Sequence, residues 1–392
     1  MGLVLTNSLV ALLYILWWRN TLKSTYYFRD VSLIDEAIDR QNPTFQSHPY
    51  NSSNFKNCSI LIPFRNEANR IQPLLQSLNN INSAVEWEVI FIDDFSTDNS
   101  SRIIQTWIQT NSHISATLIS SSLPSKKQAL LTGALQANYD WILTTDADCQ
   151  LPATLINSHA NTANANPNAK CIIGRVEFYS SNSSITLLNT YETLENQVLV
   201  AIGLSAAQHT APIAANGANL CFHKSTWLSL GDISSHKHIA SGDDIFTTQL
   251  FFNKNASWVV VNNFKDGVVK AQLCASVSQF FHQRVRWFKK SFLQKSQKTL
   301  FQQSFFGFYL VTLWVLTVIP VYGEYALLAF IPIPTKIAID IWFGNKLFNY
   351  HQYPTKIGWI GVSSVCQTIF LPLLGFAAPF LSFQWKTRKI SK

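Results

Sequence analysis

The stretch "YDWILTTDADCQLP" (residues 139–152) drives an apolar run into two carboxylates, Asp146 and Asp148, one residue apart. Acids at that spacing can face the same way and share a divalent cation. Mg²⁺ and Mn²⁺ favour oxygen ligands and commonly take one or two carboxylates together with substrate phosphates. A second apolar run, "WEVIFIDD", ends in Asp93 and Asp94. A third pair, Asp243 and Asp244, follows a glycine in "IASGDDIFTTQ" (239–249). Those acids suit a helix N-terminus, where the dipole favours negative charge, and equally a general base. Further on, "FHQRVRWFKK" (281–290) sets Gln283, Arg286 and Trp287 at i, i+3 and i+4, one face of a helix. Gln and Arg there could clamp a phosphate or a sugar hydroxyl, with Trp as a flat apolar platform. Lys126 and Lys127, before "QALLTGAL", are either solvated helix charge or a reach toward phosphate. In "ANGANL" (215–220), Asn216 and Asn219 serve either turn chemistry or hydroxyl recognition.

The elements that must position these residues follow from the apolar pattern. Strands apolar on both faces belong to parallel sheets covered by helices, and ligands bind beyond the carboxyl ends of such strands. Between about residues 50 and 300, "CSILIPF", "WEVIFIDD", "ISATLIS" and "WILTTDAD" read as strands. "NEANRIQPLLQSLNNI", a segment opening near Asp98, and "KKQALLTGALQAN" read as the helices between them. Pro152 suits the first turn of a further helix, and "NTANANPNA" (161–169) reads as a polar loop. This order predicts an α/β fold with a largely parallel, doubly wound sheet and right-handed crossovers. No G-x-G-x-x-G follows the first strand and there is no Walker A sequence, which argues against a hydride-carrying dinucleotide.

Composition frames the rest. Only 13% of residues are charged against 47% hydrophobic, and the net charge is +8. A basic balance suits nucleic acid, an anionic membrane face or a phosphorylated substrate. The six cysteines stand far apart, with no C-x-x-C, and read as buried or incidental thiols of a reducing compartment. The apolar excess sits at the two ends. "GLVLTNSLVALLYILWW" carries no charge and is followed by Arg19 and Lys23, the reverse of a signal peptide, so residues 1–20 are expected to be an uncleaved anchor with the basic flank inside. Residues 304–383 hold two or three further membrane segments. The middle one contains two prolines, Lys336 and Asp340, so it either crosses or lies in the interface. The basic tail, 384–392, prefers the cytoplasm, as does the domain at 50–300.

Taken in order, "DD", "DAD", "GDD" and "QRVRW" resemble the D, D-x-D, D, Q-x-x-R-W signature of membrane-bound family 2 glycosyltransferases. That group includes cellulose, chitin and hyaluronan synthases and ceramide glucosyltransferases. The resemblance runs from about Cys58 to Phe288. "LIPFRNEANRI" is similar to the family's opening strand and Asn-Glu turn, and "KKQALLTGAL" to its lysine-bearing helix, with Lys126 in the lysine place.

The resemblance implies a GT-A fold. It also implies an inverting, metal-dependent transfer from a UDP-linked or similar nucleotide-sugar donor to a lipid or glycan acceptor at the cytoplasmic face of a membrane, with no nucleic-acid partner. Under it, Glu67 and Asp94 hold the nucleoside, and Asp93, Lys126 and Asp146 also serve the donor. Asp146 and Asp148 hold the diphosphate through Mg²⁺ or Mn²⁺, with Asp148 favoured as the direct ligand. Asp244 is in the base position with Asp243 beside it, and Gln283, Arg286 and Trp287 shape the acceptor and diphosphate end.

"GDD" in place of the "TED" of processive synthases leaves product length open, and "WKTR" near the end resembles a W-x-T-R tail of some polymer synthases. Few membrane segments favour a short or single transfer over a processive polysaccharide synthase. Two other classes compete. A haloacid-dehalogenase-like phosphatase would use the first acid of "DADCQ" as nucleophile, but Gln150 replaces the expected Thr or Val. The other is an inactive membrane scaffold retaining the fold.

Overall fold

From Cys58 to Phe64 every residue of strand β1 (Asn57–Phe64) is buried. An uninterrupted buried run fits only a central strand with helices against both faces. The computed structural model describes residues 55–180, 186–209, 211–231, 243–291, 332–350, 357–378, 380–381, 383–385 and 388–390. The expected N-terminal anchor and the apolar run from Phe305 lie outside the described residues.

β1 lies at the middle of a seven-stranded sheet ordered β3 (Ala116–Ser120), β2 (Glu86–Asp93), β1, β4 (Trp141–Thr144), β8 (Leu220–His223), β6 (Cys171–Ile173), β9 (Val259–Val261). The four strands from β3 to β4 are parallel, β8 runs antiparallel to both β4 and β6, and β6 and β9 are parallel to each other. The doubly wound, largely parallel sheet read from the sequence is therefore present, with one reversed strand.

Alternation along β1 feeds two cores. Ile60 and Ile62 pack with Leu74 of helix α1 (Gln72–Leu78) and Trp107 of α2 (Ser100–Thr110). Leu61 points the other way, toward Ala129, Leu130 and Ala134 of α3 (Lys126–Gln136). Glu88 is buried but satisfied: it accepts from Ser59 Oγ at 2.6 Å and from Asn138 N and Nδ2, each at 2.7 Å. A carboxylate so bonded is tolerated inside the fold and ties three neighbouring segments together.

Three local expectations need correction. The helix after β1 is short. Asn66–Arg70 form a turn in which Arg70 N and Ile71 N donate to Glu67 O at 2.8 and 2.9 Å, and α1 starts only at Gln72, with Pro73 in its first turn. Pro152 lies ahead of α4 (Leu155–Ala165) rather than in its first turn; its carbonyl accepts from Leu155 N at 3.1 Å. Residues 161–165, expected in a polar loop, belong to α4, where Thr162 and Ala163 are buried. The polar side chains there bond back along the helix, Thr162 Oγ1 to Ser158 O and Asn166 Nδ2 to Thr162 O, each at 2.9 Å. Polar residues whose hydrogen bonds close locally can face a core, which periodicity counting misses.

A second, small sheet joins β5 (Cys149–Gln150), β10 (Val269–Gln272) and β7 (Val176–Tyr179), with β10 antiparallel to β5 and parallel to β7. Two long helices, α5 (Leu187–His209) and α8 (Val277–Ser291), connect this region to α9 (Pro332–Tyr350) and α10 (Ile357–Ala377). Val285 of α8 packs with Leu374 and Ala378, and Leu194 of α5 with Phe348 and Ile360. Among the described residues one helix, over Ile357–Gly375, is long and apolar enough to cross a membrane. The charges in the α9 segment are buried against it: Lys336 Nζ contacts Asp340 Oδ2 and lies 3.2 Å from Ser364 Oγ, which donates to Asp340 at 2.6 Å. Pairing within the helix–helix seam is how ionisable groups persist in so apolar a segment.

Candidate active site

The carboxyl ends of β1, β2 and β4 open on a cavity of about 760 Å³, within the usual range for small-molecule sites. Asp94, Lys126, Asp146, Asp148, Asp244, Gln283, Arg286 and Trp287 all line it. These residues span 194 positions in sequence (from 94 to 287) and meet only because the strand ends, α3, α7 (Asp243–Lys254) and α8 converge there.

β4 ends at Thr144, so Asp146 and Asp148 stand beyond the strand tip in a turn closed by Cys149 N donating to Asp146 O at 3.2 Å. The chain then enters β5 of the second sheet, so both carboxylates lie on the link between the two sheets and line the cavity. Each already has a cationic partner: Lys126 Nζ sits 2.6 Å from Asp146 Oδ1, and Arg70 Nη2 contacts Asp148 Oδ2. Burial pushes the Asp148 carboxyl above the usual carboxylate range, Arg70 opposing and Asp146 adding to the rise. The four acids of the lining, Asp94, Asp146, Asp148 and Asp244, are matched by four bases, Arg65, Arg70, Lys126 and Arg286.

Asp244 occupies the first turn of α7, and its Oδ1 accepts from Ile245 N at 2.7 Å. Asp244 thus lies at a helix start, as one reading of "GDD" expects, and also lines the cavity. The side chain of Asp243 lies outside the described residues. Gln283, Arg286 and Trp287 share the cavity face of α8, whereas Arg284 between them is buried, donating to Glu195 Oε2 through Nη2 at 2.6 Å. Arg284 Nη1 also reaches Gln283 Oε1. The two arginines of "QRVRW" therefore have different surroundings, one on the cavity and one in the seam with α5.

Several expected residues are elsewhere. Asp93 does not line the cavity. Its carboxylate takes Ser96 N at 2.7 Å and Ser101 Oγ at 2.6 Å, holding the β2–α2 turn. Glu67 does not line it either; it is buried in the turn after β1, its N donating to Ser100 Oγ at 2.7 Å. The loops after β1 and β2 are locked together at two residues of positive φ, Asn66 (52°) and Phe95 (59°). Thr97 N donates to Asn66 Oδ1 at 2.8 Å, and Arg65 Nη1 donates to Asp94 O and Phe95 O at 2.9 and 2.8 Å. For an aromatic residue that backbone region is strained, and it persists because neighbours enforce it, as is common beside functional sites.

In "ANGANL" the two asparagines differ: Asn216 holds the turn and also lines the cavity, whereas Asn219 is tied to distant backbone. Asn216 Oδ1 accepts from Ala218 N at 3.0 Å, and the fully buried Asn219 donates to Arg175 O and Gly267 O at 2.8 and 2.9 Å. A Cβ on Gly174 would sit 2.2 Å from that side chain, which is why glycine stands there. Arg65, Arg70, Asn196, Cys274 and His282 line the cavity without having been singled out by sequence. For Arg70 a signal existed: a cation six residues beyond the end of an acid-flanked strand, in "NEANRI". Burial, then Glu192, pushes the Cys274 thiol up to about 12, so it stays protonated and is a poor nucleophile.

Among the described residues no group of three or more His, Cys, Asp or Glu could hold a metal alone. Two carboxylates beside open space fit Mg²⁺ or Mn²⁺ in the mode that completes its shell with substrate phosphates.

The largely parallel sheet covered by helices is a GT-A glycosyltransferase fold, and acids beyond its strand tips and a basic aromatic helix line its cavity. Residues 59–224 match the model for glycosyl transferase family 2. The chain is 35% identical over 111 residues to an undecaprenyl-phosphate 4-deoxy-4-formamido-L-arabinose transferase of Photorhabdus laumondii subsp. laumondii. That match covers 28% of this chain and 34% of the relative, so the similarity spans about a third of the relative's length. In three dimensions the chain resembles a Pyrobaculum calidifontis mannosyltransferase solved with GDP-Man and Mn²⁺, at a TM-score of 0.50 and 15% identity, covering 94% of this chain and 97% of that one. A Staphylococcus aureus TarS fragment (residues 1–349) solved with UDP-GlcNAc aligns at a TM-score of 0.42 and 13% identity, over 85% of this chain and 95% of that one. The family match replaces the phosphatase reading of "DADCQ".

Proposed function

We propose that this protein transfers a sugar from a nucleotide-sugar donor, UDP-linked, to a lipid acceptor at the cytoplasmic face of a membrane, with inversion at the anomeric carbon. The observation that carries the proposal is the packing of the cavity's far wall. α8, bearing Gln283, Arg286 and Trp287, and α5, bearing the cavity residues Leu199, Val200 and Leu204, both pack against the apolar α10. An acceptor with a polar head and an apolar tail would find its head among Gln283, Arg286 and Trp287 and its tail along α5. The undecaprenyl-phosphate named for the Photorhabdus relative is an acceptor of that type. A glycan acceptor extended processively is the second reading within the same family.

In this mechanism Asp94 binds the nucleoside and Lys126 the diphosphate. Asp146 and Asp148 hold Mg²⁺ or Mn²⁺, which when bound neutralises the leaving diphosphate. Asp244, on the same cavity, takes the proton of an acceptor hydroxyl as its oxygen attacks the anomeric carbon. The electron pair of the breaking bond leaves on the diphosphate, and Arg286 offers it a second positive charge. A single displacement of this kind inverts the configuration.

The test is to incubate membranes bearing the protein with a panel of radiolabelled nucleotide sugars. Label entering the organic, lipid-extractable phase from one donor is expected. Label appearing only in a water-soluble polymer favours the processive reading, and no incorporation from any donor overturns the proposal.

A further inference from the structure

Arg70 comes from the turn before α1, and the backbone of that turn is held by the bonds to Glu67 O and by Ala68 N donating to Asp98 Oδ2 at 3.0 Å. Its side chain crosses to the other sheet. Nε donates to Gln272 Oε1 of β10 at 3.4 Å, and Nη2 contacts Asp148 Oδ2. The residue is 37% exposed at its side chain and lines the cavity, so the guanidinium has open space beside it. Arg70 thus places a full positive charge on the carboxylate that the reading above gives to the metal. Lys126 does the same at Asp146 from a different element.

We propose that Arg70 is an exchangeable counter-ion of the site: it neutralises Asp148 while the cavity is empty and moves to the donor's diphosphate when metal and nucleotide enter. The inference rests on the metal-and-diphosphate reading above and deepens it. Two cations cannot share one carboxylate oxygen at full strength, because a fixed charge a few ångströms away repels an incoming ion. A metal arriving alone must displace the guanidinium into solvent. A metal arriving with a diphosphate gives it a new anionic partner, to which a guanidinium can bond in two-pronged fashion. The consequence is an order of loading: Mn²⁺ binds weakly to the empty protein and tightly in the presence of the nucleotide, and each raises the affinity of the other by the same factor. The geometry also limits unproductive capture of metal by the two acids, since neither is left bare.

The experiment follows free Mn²⁺ by its electron paramagnetic resonance signal during titration of the purified full chain in detergent, with and without UDP. Wild type is expected to bind Mn²⁺ weakly alone and at least tenfold more tightly with UDP. Arg70→Gln is expected to bind Mn²⁺ alone on the order of tenfold more tightly than wild type, the scale of one charge removed from a partly solvated site. It is also expected to bind UDP less tightly in the presence of Mn²⁺. Arg70→Lys, which keeps the charge, stays close to wild type in metal affinity. Gln272→Ala loosens the Nε anchor and raises metal affinity by a smaller factor, giving a second reading if Arg70→Gln does not fold.

Damage to the fold does not tighten metal binding, so a gain separates exchange from a merely structural role. Mn²⁺ affinity in Arg70→Gln that is equal to or weaker than in wild type overturns the proposal. The titrations use no sugar and no acceptor: a protein that transfers sugar but shows no gain refutes the exchange alone. A protein that transfers nothing refutes the function while the titrations still decide the exchange.

Discussion

Arg284 and Glu195 form a buried pair in which Nε and Nη2 of the arginine donate to the same carboxylate oxygen, at 2.8 and 2.6 Å. The guanidinium also lies against the rings of Phe280 and Trp287, 4.3 and 4.4 Å from their centroids. This pair joins α5 to α8, the two helices that form the cavity's far wall. It holds the backbone of "QRVRW" in register while Arg286 faces the cavity. Removing one partner of a buried pair strands the other charge, at a cost of roughly 3–5 kcal/mol. Glu195→Ala is therefore expected to lower the thermal unfolding temperature in detergent markedly, and Glu195→Leu combined with Arg284→Met to recover much of the loss. An unchanged melting curve for Glu195→Ala would show that the pair carries no such strain.

Metal dependence follows from the acid turn beyond β4. EDTA is expected to abolish sugar transfer, and added Mn²⁺ or Mg²⁺ to restore it. Asp148→Asn, which keeps the shape and loses the charge, should resemble the chelated protein even with metal present. Full transfer in EDTA would remove the divalent ion from the mechanism.

Asp244 reports on the acceptor. For a hydroxyl acceptor, loss of the base costs about 10²–10⁴-fold. Asp244→Asn should then lower kcat by that order with little change in donor affinity, since the interaction belongs to the transition state. A phosphate acceptor needs no base. Asp244→Asn that retains turnover while lipid becomes labelled would point to a lipid phosphate, so the same variant distinguishes the two head groups.

His159 gives the fold a pH dependence through a group that does not line the cavity. It is fully buried, its Nε2 is 2.8 Å from Asn219 Oδ1, and burial pulls its pKa down to about 4, the amide contact opposing. The unfolded chain titrates this group near its ordinary value of 6.5. Between those values only the unfolded state takes up the proton. The stabilisation is fully present above about pH 6.5 and is lost as the pH falls toward 4, on the order of 3 kcal/mol across the window. Chemical denaturation midpoints at pH 7.5 and 4.5 should differ strongly in wild type and less in His159→Gln. Equal pH dependence in the two proteins would assign the effect to other groups.

How far the sequence reached can be read from particular residues. "CSILIPF", "WEVIFIDD" and "WILTT" became adjacent parallel strands because a run apolar on both faces has one stable environment, the covered centre of a sheet, while "ISATLIS", with its alternating polar residues, became the parallel edge strand beside them. That fact alone carried the acids of "DD" and "DAD" to the strand tips, and the i, i+3, i+4 spacing in "QRVRW" put three side chains on one helix face. These are properties of short segments, and local periodicity determines them.

What the sequence could not decide was partnership. Asp93 and Asp94 are neighbours of identical type, yet one closes a turn with Ser96 and Ser101 while the other lines the cavity. Arg284 and Arg286 differ in the same way, and Asn219 looked like a recognition residue until three backbone and side-chain partners from distant segments enclosed it. Arg70, 78 positions before Asp148, met it only because β10 and the turn beyond β4 close on the same space. Burial and charge pairing depend on which distant segments arrive beside a residue, and that is set by the packing of the whole domain rather than by any stretch within it.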